Sequence, residues 1–129
     1  EYGAQVKELD MQQDHVSITM ELSSAYPVGT VKSYIRQVTM EKEKSITIID
    51  EIDSIPEGSC LTLMTLGEPK WDGEYLSIYN SGKLKIQADG DIIIEKIELK
   101  DEKLKGEWGE NVYRVKVYFG TIPRIITTI

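Results

Sequence analysis

Apolar and polar residues alternate along most of this chain. His15 to Leu22 reads HVSITMEL, with Val16, Ile18, Met20 and Leu22 on one parity and Ser17, Thr19 and Glu21 on the other. Successive strand side chains point to opposite faces, so this spacing predicts a half-buried strand. Ser23 to Thr30 holds Pro27 and Gly29 and reads as a loop. Val31 to Met40 and Ser45 to Ile52 are two more strands, joined by the charged turn Glu41-Lys42-Glu43-Lys44. The short turn and matched lengths predict an antiparallel hairpin. Beyond Pro56-Glu57-Gly58, Cys60 to Leu66 is a fourth strand, and Gly67 to Glu74 reads as a polar loop. Tyr75 to Tyr79, the turn Asn80-Ser81-Gly82 and Lys83 to Gln87 predict a second hairpin. Ile92 to Leu99, Val112 to Phe119 and Arg124 to Thr128 complete the strands, with the charged stretch Lys100 to Glu110 between the first two.

About nine short strands at regular spacing predict an all-β chain, an antiparallel β-sandwich formed by residues 1–129 as one domain. No segment carries a capped stripe of period 3.6. The last strand, rich in Ile, needs a pairing partner, because a bare apolar edge invites aggregation.

Composition sharpens the fold class. The chain has 129 residues, of which Ile, Val and Thr supply 34, while Ala occurs 3 times and Leu 9 times. Branching at Cβ suits a pleated strand better than a helix. No apolar run approaches the roughly 20 residues of a membrane span. The net charge of −7 argues against general nucleic-acid binding, which needs clustered Lys and Arg. It equally disfavours the whole surface as a trap for acidic polysaccharide, though not a local basic patch. No export signal is visible, and one would have been removed from a processed chain.

Candidate chemistry is thin. The single histidine, His15, begins a strand, and the single cysteine, Cys60, is flanked by apolar residues; both read as structural. No set of His, Asp and Glu has metal-ligand spacing. Asp89-Gly90-Asp91 faintly suggests a calcium loop but lacks the further acids, so a tight turn is the plainer reading. Asp50 shares a strand face with Ile46, Ile48 and Ile52, where a carboxylate needs a partner. Arg36, on the hairpin's other strand, supplies one as a structural ion pair. Trp71, beside Lys70 and Asp72, together with Tyr75 and Tyr79, forms the one ligand-contact candidate. An exposed indole stacks on a sugar ring while flanking polar groups bond its hydroxyls; a tryptophan folded over the core is the alternative. Trp108, between Gly106 and Gly109, leans to packing. No nucleophile elbow, phosphate loop or dinucleotide fingerprint is present, and no catalytic residue is assigned.

The order of the segments resembles a known pattern. His15 to Pro27, HVSITMELSSAYP, resembles the strand and "dLs-AY" element in the C-terminal β region of heparinase II/III-like polysaccharide lyases. Tyr34-Ile35-Arg36-Gln37-Val38 is similar to that family's "R-x-V" strand, and Ile46 to Asp53, ITIIDEID, to its "v-v-x-D-x-f" strand. Leu84 to Ile86, Ile92 to Leu99 and the stretch from Trp108-Gly109 to Tyr113-Arg114-Val115 continue the series. The resemblance implies an α-helical toroid followed by a layered β-sandwich, and cleavage of uronic-acid polysaccharides, glycosaminoglycans among them, by β-elimination. A base takes the C5 proton and an acid, typically Tyr, assists the leaving group.

The family's catalytic and metal-binding residues fall before the segments that match here, so none is carried over. Tyr26, Arg36, Asp50 and Trp108 match positions that look structural. The resemblance therefore implies a non-catalytic C-terminal part of a secreted or periplasmic bacterial lyase. Its partners would be the preceding domains and a polysaccharide, with no cofactor, metal, nucleic acid or membrane in this chain. A free-standing carbohydrate-binding module and a structural protein-interaction domain are the alternatives.

Overall fold

The structure is a computed structural model that describes residues 3–129. Its strands are β1 (Gln5–Met11), β2 (His15–Glu21), β3 (Ser33–Glu41), β4 (Ser45–Asp53), β5 (Cys60–Thr65) and β6 (Pro69–Trp71), then β7 (Tyr75–Ile78), β8 (Gly82–Gln87), β9 (Ile92–Glu98), β10 (Asn111–Tyr118) and β11 (Arg124–Thr128). One helix, α1 (Glu102–Trp108), lies between β9 and β10. The expected all-β antiparallel sandwich is present, as an eight-stranded sheet in the order β1-β2-β3-β4-β11-β8-β7-β6 and a three-stranded sheet in the order β5-β10-β9.

Both predicted hairpins form, β3 with β4 and β7 with β8. Three features depart from the sequence pattern, the first being β1, a strand the alternation does not predict. β6 lies inside the predicted polar loop, and its three residues are too few to show an alternation. Helix α1 lies inside the charged stretch. The Asp101 side chain accepts from the amides of Lys103 and Leu104, and Gly109, at φ 82°, ends the helix. An N-cap carboxylate and a positive-φ glycine suffice for two turns without a burial stripe. The last strand has the partner its sequence calls for: β11 pairs with β4 on one side and β8 on the other, which satisfies both rows of its amides.

Register assigns every side chain of the large sheet to a face. Leu76, Ile86 and Ile125 point inward and pack with Val115 and Val117 of the small sheet; all five are nearly or fully inaccessible. The inward rows continue beyond this core. Ile86 lies beside Thr127, then Ile48, Val38, Ile18 and Leu9 on successive strands. Met40, Val16 and Met11 form a neighbouring row. This half of the inward face, on β1 to β4, is apolar and largely uncovered: Val6 is 61%, Leu9 57%, Met11 71% and Met40 44% exposed. Where β2 gives way to the following turn, the Glu21 carboxylate accepts from the amides of Ser23 and Tyr34 and from the Ser33 hydroxyl. Burial pushes that carboxyl up, but these donors outweigh it and hold it at about 2.

Candidate functional site

The three predicted contact residues occupy the corner made by β6, β7 and β8, and they do not form one platform. Trp71 pairs with Leu76, which is wholly buried, so the indole shares the inward face and packs partly buried against the core. Of the two readings of this indole, register favours the one folded over the core: a residue directly opposite an inward leucine points inward. Tyr75 points outward, but the Lys83 ammonium lies 4.4 Å from its ring centre and that of Lys85 5.8 Å. These cations occupy the ring's electron-rich face. Tyr79, just past β7, is open to solvent at 71%. Around them, the Asp72 carboxylate accepts from the amides of Glu74 and Tyr75 and is held below its usual range by those bonds. Lys85 reaches Glu74 at 2.8 Å, which raises the lysine's pKa.

The densest polar geometry lies elsewhere, at the cleft where β5 stands over β3 and β4. This cleft has a volume of about 440 Å3 and is lined in part by Tyr26, Tyr34, Arg36, Ser59, Thr62 and Phe119. Arg36 and Asp50 are direct cross-strand partners, as the sequence predicts. Arg36 Nε donates to Asp50 Oδ1 at 2.7 Å, and the Tyr34 hydroxyl donates to the same oxygen at 2.6 Å. Arg36 Nη2 in turn donates to the Tyr34 hydroxyl at 2.8 Å, closing a triangle. Asp50 is fully buried. Burial, then the bond to Asp50 and that residue's charge, push the Tyr34 hydroxyl well above its ordinary pKa. Desolvation pulls Arg36 down, but Asp50 more than compensates and the guanidinium pKa rises.

The unit therefore keeps a fixed cation and a protonated phenol on the cleft wall. Its chemistry is to join β3 to β4, not to transfer a proton near neutrality. Tyr26 stacks loosely on Tyr34, with ring centres 6.0 Å apart and planes tilted by 41°. Sequence reasoning missed Tyr34, although its parity with Arg36 and its pairing with inward Ile52 were the available signals.

The remaining singled-out residues lie apart. His15 begins β2 near Asp10, and Cys60 begins β5 as a free thiol. Asp89 is a loop clamp: its Oδ2 accepts from the amides of Thr121 and Ile122 at 2.8 and 3.2 Å. Its neighbour Gly90 is required by space, since a Cβ there would meet the Tyr118 carbonyl oxygen at 2.3 Å. Trp108, expected to pack, ends α1 with 53% of its surface exposed, because the seven-residue helix buries no residue. Among the described residues, no group of three or more His, Cys, Asp and Glu could hold a metal ion. No helix among them is long and apolar enough to cross a membrane.

No protein-family model matches the chain, and no curated protein matches it by sequence. Solved structures do match by fold. A mutant of heparan sulfate lyase HepC from Pedobacter heparinus superposes with a TM-score of 0.55 at 14% identity, covering 97% of this chain and 21% of that one. The unmutated HepC gives a TM-score of 0.51, with the same identity and coverage. The chain thus spans about a fifth of these lyases' length and shares the fold of that part of them.

Proposed function

We propose that this chain is the non-catalytic C-terminal β-sandwich of a heparinase II/III-like polysaccharide lyase. It belongs to a secreted or periplasmic bacterial protein, where it supports the catalytic part and contacts uronic-acid-containing glycan. The observation that carries this reading is the uncovered apolar half of the eight-stranded sheet. A sheet face of Leu, Val, Ile and Met is stable in water only when another layer covers it. The fold shared with about a fifth of a lyase chain supports a larger parent that supplies that layer.

The test uses the full-length protein and the double variant Leu9→Glu/Met40→Glu, placed where both side chains are exposed in this chain. Two charges buried under a covering layer lower the melting temperature and the yield of unsaturated uronide absorbance from heparan sulfate or alginate. A variant that matches wild type in both measurements sinks the supporting role. Wild-type protein that yields no unsaturated uronide from either polymer sinks the lyase assignment.

A further inference from the structure

The outward face of the eight-stranded sheet has a chemistry that the supporting role does not use. Register aligns Lys85, Thr128, Thr47, Thr39 and Ser17 in one row across five strands. At about 4.8 Å per strand step, that row runs about 19 Å. A parallel row holds Gln87, Ile126, Ile49, Gln37 and Thr19. Charged residues make up 29% of the chain, yet the stretch of both rows on β2, β3, β4 and β11 carries none. The Ser17 and Thr39 hydroxyls lie 3.2 Å apart, and the Gln37 amide donates to Ser17 at 3.3 Å. The band is thus lined by groups that both donate and accept, with Ile126 and Ile49 side by side in the middle.

The end of this band on β6 to β8 is basic, whereas on β1 the two rows run into Asp10 and Glu8. Lys70 and Lys83 flank Ser77 on adjacent strands, and Lys85 stands two residues beyond Lys83. Glu74 neutralises Lys85. Lys70 and Lys83 have no acidic partner within salt-bridge distance among the described residues, although the chain as a whole is acidic.

From this arrangement we infer that the outward face is a binding track for an extended acidic polysaccharide laid across the strands. Sugar hydroxyls meet the Thr, Ser and Gln rows, and the C–H faces of the rings lie on Ile126 and Ile49. A carboxylate or sulfate sits at Lys70 and Lys83. One strand step is comparable to the length of one sugar along an extended chain, so the rows repeat in phase with such a ligand. A nucleic acid fits less well. The Lys83 cation over Tyr75 takes the ring a base needs for stacking. The inference rests on the glycan-contacting part of the reading above and uses the opposite face from the supporting role.

The experiment is hydroxyl-radical footprinting of the full-length protein with a size-defined heparan sulfate oligosaccharide, a neutral cello-oligosaccharide, or duplex DNA. With the acidic oligosaccharide, labelling of Ile49, Ile126 and Tyr75 falls at least twofold. The neutral sugar protects the two isoleucines less and leaves Tyr75 unchanged. The double variant Thr47→Glu/Thr128→Glu loses the protection, whereas Thr47→Ser/Thr128→Ser keeps it. The serine pair and wild-type footprinting hold the test open if the glutamate pair misfolds. Unchanged labelling of Ile49 and Ile126 under the acidic oligosaccharide overturns the inference, as does equal or stronger protection by DNA. Loss of activity in Leu9→Glu/Met40→Glu with the footprint retained separates the supporting role from the track.

Discussion

A carboxylate on the inner face of a sheet is expensive unless its charge is met. Asp50 is met twice, by Arg36 at 2.7 Å and Tyr34 at 2.6 Å, and these contacts are drawn from the strand that faces it in register. Removing the acid strands a half-buried guanidinium and a phenol among isoleucines. Asp50→Ala is therefore expected to cost about 3–5 kcal/mol, read by urea denaturation. Asp50→Leu with Arg36→Met removes the whole charge pair and recovers most of that loss. A single-variant cost below about 1 kcal/mol would show that the triangle contributes little. The pair was legible in the sequence, because an acid among inward isoleucines needs a partner and hairpin register supplies Arg36. The phenol was not, because its reach to Asp50 depends on a side-chain path that spacing does not encode. Trp71 was left between an exposed and a packed reading for a related reason. Its face follows from pairing with Leu76, and a strand of three residues gives no alternation from which to read that pairing.

Strands of seven to nine residues announced themselves, since their alternation is long enough to count. β1 is the exception. Lys7 and Glu8 interrupt its pattern where the register with β2 slips between Val6 and Glu8, which breaks the period of two. Helix α1 was hidden for a different reason: it lies on the surface, buries nothing and contains Gly106. That glycine offers a clean test of how the helix is held. A Cβ added at Gly106 meets nothing within 4 Å, and its backbone has no positive φ. Gly106→Ala is therefore expected to stabilise the fold by about 0.4–1 kcal/mol by narrowing the unfolded ensemble. In a thermal melt this is a rise of roughly 2–4 °C. A fall instead would mean that α1 needs the freedom of glycine, and that the Asp101 cap is not what sets its start.

At the scale of the molecule, two sheets of unequal size set the behaviour. Three strands cannot cover eight, so the half formed by β1 to β4 keeps an apolar inner face in water. The opposing influence is the net charge of −7, which keeps copies apart at low salt. At an ionic strength near 0.15 M the screening length shrinks to about 8 Å, and the repulsion fades while the apolar attraction persists. The 129-residue chain produced alone is therefore expected to self-associate more as salt rises, the reverse of an ion-pair interface. Analytical ultracentrifugation between low salt and about 0.5 M salt, where repulsion is screened further, reads this directly. Binding of a hydrophobic dye provides a second readout. The variant Leu9→Lys/Met11→Lys/Met40→Lys changes three side chains that are already exposed, so it leaves the melting temperature close to wild type. It is expected to stay monomeric across the salt range and to lose most of the dye signal. Association that persists in this variant, or weakens with salt, would move the interface off the inner face. The covering layer proposed for the parent protein would then have no claim on it.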